Sequence, residues 1–393
     1  MKEIILLKSG EIALKGLNRR SFEDAMIKNC KRAIKDLGEF TFVTAQSTTF
    51  VQPQGEADIA QAVERLSRVF GIAALCSACV VGKDYAAIEQ AAASYLAGQL
   101  TSARTFKVTA KRSDKAFPMN SPQICAELGG FLLGRFPHLK VDVENPEVLV
   151  TVEIRDFGAY VHGRQIQGAG GIPVGCSGRA MLLLSGGIDS PVSGVMMAKR
   201  GLAISAVHFF SPPYTSERAL LKVRSLCAKM TQYCGLIPLH VVPFTEISEA
   251  IRDHCQEQYA TIIMRRFMMQ IAQRLALDND CSALITGESV GQVASQTIAS
   301  LTCTQTGLSL PVMRPVIGMD KEEIITTARK IDTFELSIQP FDDCCSLFTP
   351  KRPKTRPKIE EVEREEAALD CEGLIERALS GMAKERIGRS ATF

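Results

Sequence analysis

Short aliphatic runs separated by amphipathic stretches set the rhythm of this chain. Ile4 to Leu7 is a run of four aliphatics, the length of a buried strand, and Asn18 to Leu37 repeats apolar residues at helical spacing through Phe22, Met26, Ile27, Ile34 and Leu37 before Gly38 ends it. Phe40 to Gln52 then alternates as one strand would. The rhythm continues with a helix from Asp58 to Ser67, a strand from Ile72 to Val81, a helix from Tyr85 to Leu96 and a strand from Thr105 to Ala110. Ser121 to Leu133 reads as helix, and Val148 to Arg155 with Gly158 to Gly163 as a hairpin. This first part is a set of small α+β units.

The glycine-rich stretch QIQGAGGIPVGCSG, Gln165 to Gly178, reads as a connection between domains. Beyond it the pattern changes. Met181 to Leu184 is apolar throughout and runs into a glycine-rich turn and a helix, followed by strand 203–209, helix 216–233, strand 237–242, helix 261–277 and strand 282–285. Strands without alternation, separated by helices, predict a parallel sheet covered on both faces. The chain is expected to end in a charged helical tail.

At 393 residues the chain is long enough for two or three domains. No apolar run approaches the ~20 residues of a membrane span, and the start MKEIILLKSG lacks the apolar core of a signal peptide. Neither a membrane partner nor export is expected. Thirteen cysteines, odd in number and irregularly spaced, fit a reducing cytoplasmic compartment better than a disulfide scaffold. The net charge of +3 hides local asymmetry: residues 1–35 carry nine Lys or Arg against four acids, and Lys351 to Lys358 reads KRPKTRPK, basic and held extended by prolines. Either segment alone is as readily a solvated surface as a phosphate-binding one.

The stretch that carries chemistry is Met181 to Val192, MLLLSGGIDSPV. A buried strand ends in Ser185, Gly186 and Gly187, where missing side chains let backbone N–H groups close around an anion, and Ser190-Pro191 suits an N-cap and first helical residue. The helix terminus would add its partial positive charge to a phosphate site. The lysine of the Walker loop is absent. The pattern S-G-G-x-D-S resembles instead the PP-loop ATP pyrophosphatases, which split ATP between its α- and β-phosphates. That resemblance implies that Asp189 helps position magnesium and pyrophosphate.

Longer segments narrow the resemblance. Ser9 to Gly16, Gly171 to Gly175, Val207 to Arg218, Thr286 to Gln296, Pro315 to Ile324 and Asp343 to Phe348 are similar to the tRNA 4-thiouridine synthetase family, the ThiI sulfurtransferases. The resemblance implies an α/β architecture in which a doubly wound parallel-sheet PP-loop domain, adenine nucleotide hydrolase-like, follows α+β ferredoxin-like and THUMP domains. The divisions expected are residues 1–57 ferredoxin-like, 58–165 THUMP, 166–178 linker and 179–393 catalytic. By matching position, ATP should touch Leu183, Leu184, Ser185, Gly186, Gly187, Ser190, His208, Phe209, Arg265, Gly287 and Gln296. A bland alternative for His208 is a core histidine closing a strand. Gly287 is expected to allow close backbone approach to a ligand.

The resemblance also assigns a persulfide to Cys344, with Cys345 as helper, since the sulfur carrier must be a thiol that can spend time as thiolate. Cys30, Cys125, Cys227, Cys281 and Cys303 read as small hydrophobes. Cys76 and Cys79 have C-x-x-C spacing but fall in a strand, where they face opposite ways, with no second pair to complete a zinc site. The implied activity is uracil 4-sulfurtransfer to the uridine at position eight of tRNA, with ATP and Mg2+ as cofactors. Lys15, Arg19, Arg20, Lys111 and Arg112 are the expected phosphate contacts. Implied partners are tRNA, a cysteine desulfurase and a second copy of the chain as a homodimer. The ThiS sulfur carrier of thiamine thiazole synthesis is a further acceptor by resemblance, although no rhodanese domain precedes Phe393. Two competing readings are another PP-loop enzyme, either a thiolase for a different base or an amidating synthetase, and a non-catalytic RNA-binding module.

Overall fold

The aliphatic run at the start of the chain lies inside strand β1 (Lys2–Ser9), where Ile4 to Leu7 are all fully buried. The computed structural model describes residues 2–45, 47–341, 350, 352–389, 391 and 393, and divides them into two units at Gly171 and Ile172. In the first unit β1 is followed by α1 (Arg19–Ala33), β2 (Phe40–Ala45), β3 (Thr48–Pro53), α2 (Ile59–Ser67) and β4 (Ile72–Val81). Then come α3 (Tyr85–Tyr95), α4 (Ala97–Ser102), β5 (Thr105–Arg112), α5 (Ser121–Arg135), β6 (Lys140–Val141), β7 (Val148–Arg155), β8 (Gly158–His162) and β9 (Ile166–Gln167). Among the described residues these nine strands form one sheet, in the order β2-β3-β1-β4-β8-β7-β5-β6, with β9 also on β4.

Strand β4 joins the two halves of that sheet. Its Leu75 packs with Met26, Cys30 and Leu66 of α1 and α2, while Cys79, four residues on and on the same face, packs with Ile88 and Leu128 of α3 and α5. Cys76 points the other way, to Ile4, Leu6, Phe50 and Tyr160, so the C-x-x-C pair is split across the sheet. Two expectations change. The strand expected over 40–52 is an antiparallel pair, β2 with β3, in which Val43 faces Phe50. Ser47 takes φ 62° at the reversal, a left-handed position held without glycine, so the apolar alternation runs through the turn and conceals it. Helix α1 ends at Ala33, short of the expected Leu37.

The second unit holds β10 (Arg179–Leu183), α6 (Asp189–Lys199), β11 (Ala203–Phe210), α7 (Glu217–Cys234), β12 (Ile237–Pro243), α8 (Thr245–His254) and α9 (Ala260–Asp278). It continues with β13 (Leu284–Ile285), α10 (Ile298–Gln305), β14 (Val312–Met313), α11 (Lys321–Lys330), helices Ile359–Glu366 and Cys371–Ser380, and β15 (Ala383–Ile387). The sheet order is β14-β13-β10-β11-β12-β15, parallel except for β15. Because helices cover it, the strands are apolar on both faces: Ala180, Met181 and Leu182 of β10 are all fully buried. Helix α9 lays Ile263, Phe267, Ile271 and Leu275 into the same cluster as Met181, Val207 and Leu284. The tail expected to be helical ends instead in β15, an edge strand whose alternating charges include Glu385, paired with Arg224 of α7. No helix among the described residues is long and apolar enough to cross a membrane.

Candidate functional site

From β10 the chain builds β11 and β12 on one side and then returns to place β13 and β14 on the other. Between β10 and β13 the direction of winding reverses, and the carboxyl ends of the strands open a crevice there, the usual ligand position of such a sheet. Leu183, Leu184, Ser185, Asp189, Ser190, His208, Phe209, Arg265, Gly287 and Gln296 all line this one pocket. Residues more than a hundred positions apart are thus brought together by strand order alone. Gly186 and Gly187 form the turn beside it and are not in the lining. Met268, Met269, Thr286 and Glu288 complete the wall. The two methionines are adjacent on α9, where deformable apolar side chains suit a flat ring.

The turn is held by its two serines. Ser185 N–H donates to Ser190 Oγ at 2.9 Å, the two hydroxyls lie 3.0 Å apart, and Gly187 N–H donates to Ser185 Oγ at 3.3 Å. Helix α6 begins at Asp189, with Ile188 at the N-cap and no side-chain cap. The expected Ser190 cap is therefore corrected: its hydroxyl is turned back to close the loop. A helix start without a side-chain cap keeps its first-turn N–H groups for an anion, where the helix dipole also favours negative charge.

Gly287 follows β13 and meets this helix start. A Cβ on it would stand 2.7 Å from Ser190 N and 2.8 Å from Asp189 C. The glycine is required by backbone packed against backbone, and not in the first place by a ligand, as its sequence context suggested. His208, 4% exposed, ends β11 with Nδ1 3.0 Å from the Leu184 carbonyl, which fixes the Nδ1–H tautomer and ties β11 to the turn. It is thus both a buried strand-end histidine and part of the pocket wall.

Two carboxylates sit at the pocket. Asp189 accepts from Lys321 Nζ at 2.7 Å and from Gln292 Nε2 at 2.9 Å. Lys321 opens α11, whose Asp320 N-cap forms a reciprocal capping box with Glu323 and so sets where the lysine stands. As the carboxylate of its pair with Lys321, Asp189 fits magnesium in the mode where substrate phosphates supply most of the ligands. The second group is Glu288, 2% exposed, which accepts from Arg265, from Arg314 Nε at 2.7 Å and from Thr286 Oγ1 at 2.8 Å. Burial pushes its carboxyl pKa up, but the two guanidiniums and the hydrogen bonds outweigh it and the net shift is downward. Lys321, Glu288 and Arg314 lie outside the residues singled out from sequence, since nothing local marks an ion pair closed by the fold.

Of the expected phosphate contacts, Lys15 sits with Nζ 5.1 Å over the Phe22 ring, Arg19 pairs with Glu23 at 2.7 Å, and Arg20 is exposed beside them. Lys111 is exposed on β5, whereas Arg112 donates to the carbonyls of Phe117 and Met119 and braces a loop. All five belong to the first unit and the pocket to the second. Cys344 and Cys345 lie outside the described residues. Cys30, Cys227, Cys281 and Cys303 are buried, and burial raises all four thiols, Cys227 to about 12, which suits inert packing residues. Cys125 is half-buried and also raised by burial.

Comparison with known proteins agrees over nearly the whole length. The family described as "Thiamine biosynthesis protein (ThiI)" matches residues 175–371, the "ThiI ferredoxin-like domain" residues 4–76 and the THUMP domain residues 82–162. A protein of Acetivibrio thermocellus named "Probable tRNA sulfurtransferase" is 48% identical over 96% of this chain and 97% of its own. One of the same name from Thermoanaerobacter sp. (strain X514) is 48% identical over 96% and 98%. Among solved structures, a 4-thiouridine synthetase in complex with RNA and bound ATP superimposes with a TM-score of 0.91 at 34% identity, over 98% of this chain and 100% of that one.

Proposed function

The chain belongs to the ThiI family of tRNA sulfurtransferases, and from that premise we infer that its pocket binds ATP to adenylate O4 of a tRNA uridine, which then receives sulfur from a persulfide on Cys344. The observation that carries this reading is the uncapped start of α6 behind the Ser185 to Ser190 turn, with Asp189 and Lys321 at its mouth. A uridine carbonyl oxygen is a poor leaving group. Attack of O4 on the α-phosphorus of ATP expels pyrophosphate and turns that oxygen into part of an adenylate, while backbone donors and Lys321 offset the developing charge. Magnesium, held through Asp189, supplies further positive charge to the phosphates when bound. The domain divisions read from sequence, 1–57, 58–165, 166–178 and 179–393, belong to the same proposal, with the first two presenting the RNA.

In the second half-reaction the terminal sulfur of the Cys344 persulfide attacks C4 and AMP leaves with the electron pair of the broken C–O bond. Thiolate attack by Cys345 on Cys344 then breaks the S–S bond to the sulfur delivered, forms a cysteine–cysteine disulfide and leaves 4-thiouridine; an external dithiol reductant resets the pair. The proposal includes a cysteine desulfurase as sulfur donor, a homodimer as the RNA-binding species and ThiS as a second acceptor. It also includes a cytoplasmic site of action, in keeping with the free state of every described cysteine.

Mass spectrometry of nucleosides from unmodified tRNA, after incubation with this chain, ATP, magnesium, cysteine and a desulfurase, tests the proposal. Appearance of 4-thiouridine with one AMP per sulfur is expected. An ammonia-derived product, sulfur on another base, or no ATP-dependent product would overturn it.

A further inference from the structure

The basic stretch that follows Cys344 and Cys345 in sequence is not used by the mechanism above, although its described residues are held in a fixed course. Pro357 is buried and its carbonyl accepts from Cys303 Sγ at 3.7 Å. Lys354 N–H donates to the Gln258 carbonyl at 3.1 Å, and the Thr355 carbonyl accepts from Thr297 Oγ1 at 2.8 Å. Lys354 itself turns inward, over the Tyr259 ring at 5.6 Å and to Glu361 at 3.5 Å. The exposed cations of the stretch are Arg352, Arg356 and Lys358, and the two arginines have no partner among the described residues.

Thr297 follows Gln296, a wall residue of the pocket, so the hydrogen bond to Thr355 places the segment at the pocket's margin. On that margin Val293 and Ile298 are 51% and 66% exposed, apolar side chains open to solvent. The helix that comes next, Ile359–Glu366, is acidic, yet its carboxylates do not cancel the arginines. Glu361 goes to Lys354 and Tyr259, Glu363 and Glu366 to Arg266, and Glu365 to Gln256. Only Glu360 is left exposed without a partner among the described residues.

We propose that Arg352 and Arg356 form a cationic rail that holds the RNA phosphates flanking the target uridine, while Val293 and Ile298 support the nucleotide turned out of its stack into the pocket. This rests on the tRNA sulfurtransferase reading above. Extraction of a base demands fixed positive charge for the backbone beside it and an apolar surface for the unstacked face, and the pocket's margin carries both kinds of group. A segment anchored at Lys354, Thr355 and Pro357 loses little freedom when the phosphates arrive, so the attraction is not spent on ordering it.

The test uses the full chain and an unmodified tRNA transcript, with R352A/R356A and R352K/R356K compared to wild type by filter binding across a salt series. The alanine pair should weaken binding roughly 10- to 30-fold near 0.15 M salt and lower the log–log salt slope by about 1.4 to 1.8, as loss of two phosphate contacts requires. The lysine pair should keep most of the slope, and ATP affinity of both should equal wild type, which also reports an intact fold. Unchanged RNA affinity and slope in the alanine pair overturns the rail. So does a selective loss of desulfurase-dependent sulfur loading, which would make the arginines a protein-docking surface. If wild type itself binds tRNA with no salt-dependent preference over single-stranded RNA and makes no 4-thiouridine, the functional reading falls instead.

Discussion

Gly287 stands so close to Ser190 that a Cβ on the glycine would lie 2.7 Å from the serine's amide nitrogen. The contact joins the end of β13 to the first turn of α6, the two elements whose separation defines the pocket. Gly287→Ala must push them apart, and overpacking of this kind costs about 1–3 kcal/mol. Since the proposed nucleotide cradle includes the Ser190 N–H, one of the atoms displaced, the change should appear as a roughly fivefold or greater loss of ATP affinity by titration calorimetry, larger than any effect on tRNA binding. Wild-type ATP affinity in this variant would show that the contact is not what sets the cradle.

Glu288 makes the second prediction. It is buried between Arg265 and Arg314, and removing one partner of a buried ion pair costs about 3–5 kcal/mol because the other charges are left uncompensated. Glu288→Gln should therefore lower the unfolding midpoint of the catalytic unit and raise the KM for ATP more than it lowers kcat, through loss of the fixed position of Arg265. Its depressed pKa adds a direction: the stability it contributes is present above the ordinary glutamate value and is lost as the pH falls through the lowered one. A Gln variant with unchanged acid denaturation would remove that assignment.

Much of the catalytic unit is legible in the residues because buried parallel strands have no alternation to confuse, and the S-G-G-x-D-S turn places its own helix start. What the sequence hides is whatever depends on closure. Lys321 reaches Asp189 across 132 positions and Arg314 reaches Glu288 across 26, and no local pattern predicts either pair. Gly287 was legible as a glycine under constraint, but the constraint is the backbone of Asp189 and Ser190. Ser190 reads as a cap from its type and position, whereas the folded turn uses its hydroxyl on Ser185. In the first unit Ser47 reverses the chain at positive φ without the glycine or asparagine that would announce it. Strand β15 hides in the same way, since its consecutive charges Lys384, Glu385 and Arg386 show none of the apolar–polar alternation that marks a strand.

The cysteine pair gives the third prediction. Cys344→Ser should abolish sulfur transfer while ATP binding and RNA affinity remain those of wild type, because neither depends on the thiol. Cys345→Ser should still accept sulfur from the desulfurase, and should accumulate tRNA joined to the protein by a disulfide that an added reductant releases. Full multiple-turnover thiolation by Cys344→Ser, measured by nucleoside mass spectrometry, would exclude it as the sulfur carrier.

The fourth prediction concerns the first unit, where the carboxylate of Glu153 collects Lys8 at 2.8 Å, Arg155 at 2.6 Å and His162 Nε2 at 3.5 Å, with His162 and Glu153 1% exposed. For His162, burial lowers the pKa, but hydrogen bonds with Cys76 and Glu153 outweigh it and raise the imidazole from 6.5 to about 9. A group whose folded pKa exceeds its unfolded one stabilises fully below the unfolded value and loses that contribution as pH rises through the folded value. The first unit should accordingly lose on the order of 3 kcal/mol between pH 6.5 and about 9. Glu153 acts at the opposite end. Burial raises its carboxyl, the bonds from His162, Lys8 and Arg155 bring it far below the usual range, and its contribution disappears only under strong acid. Because β7 and β8 carry this cluster through the middle of the sheet, amide hydrogen exchange of those strands in the whole protein reports the loss locally. His162→Gln keeps a hydrogen-bonding side chain without the titrating charge and should flatten the alkaline limb while leaving the acid limb in place. If the Gln variant and wild type lose protection in parallel between pH 6.5 and 9, the imidazolium is not what holds the sheet together there.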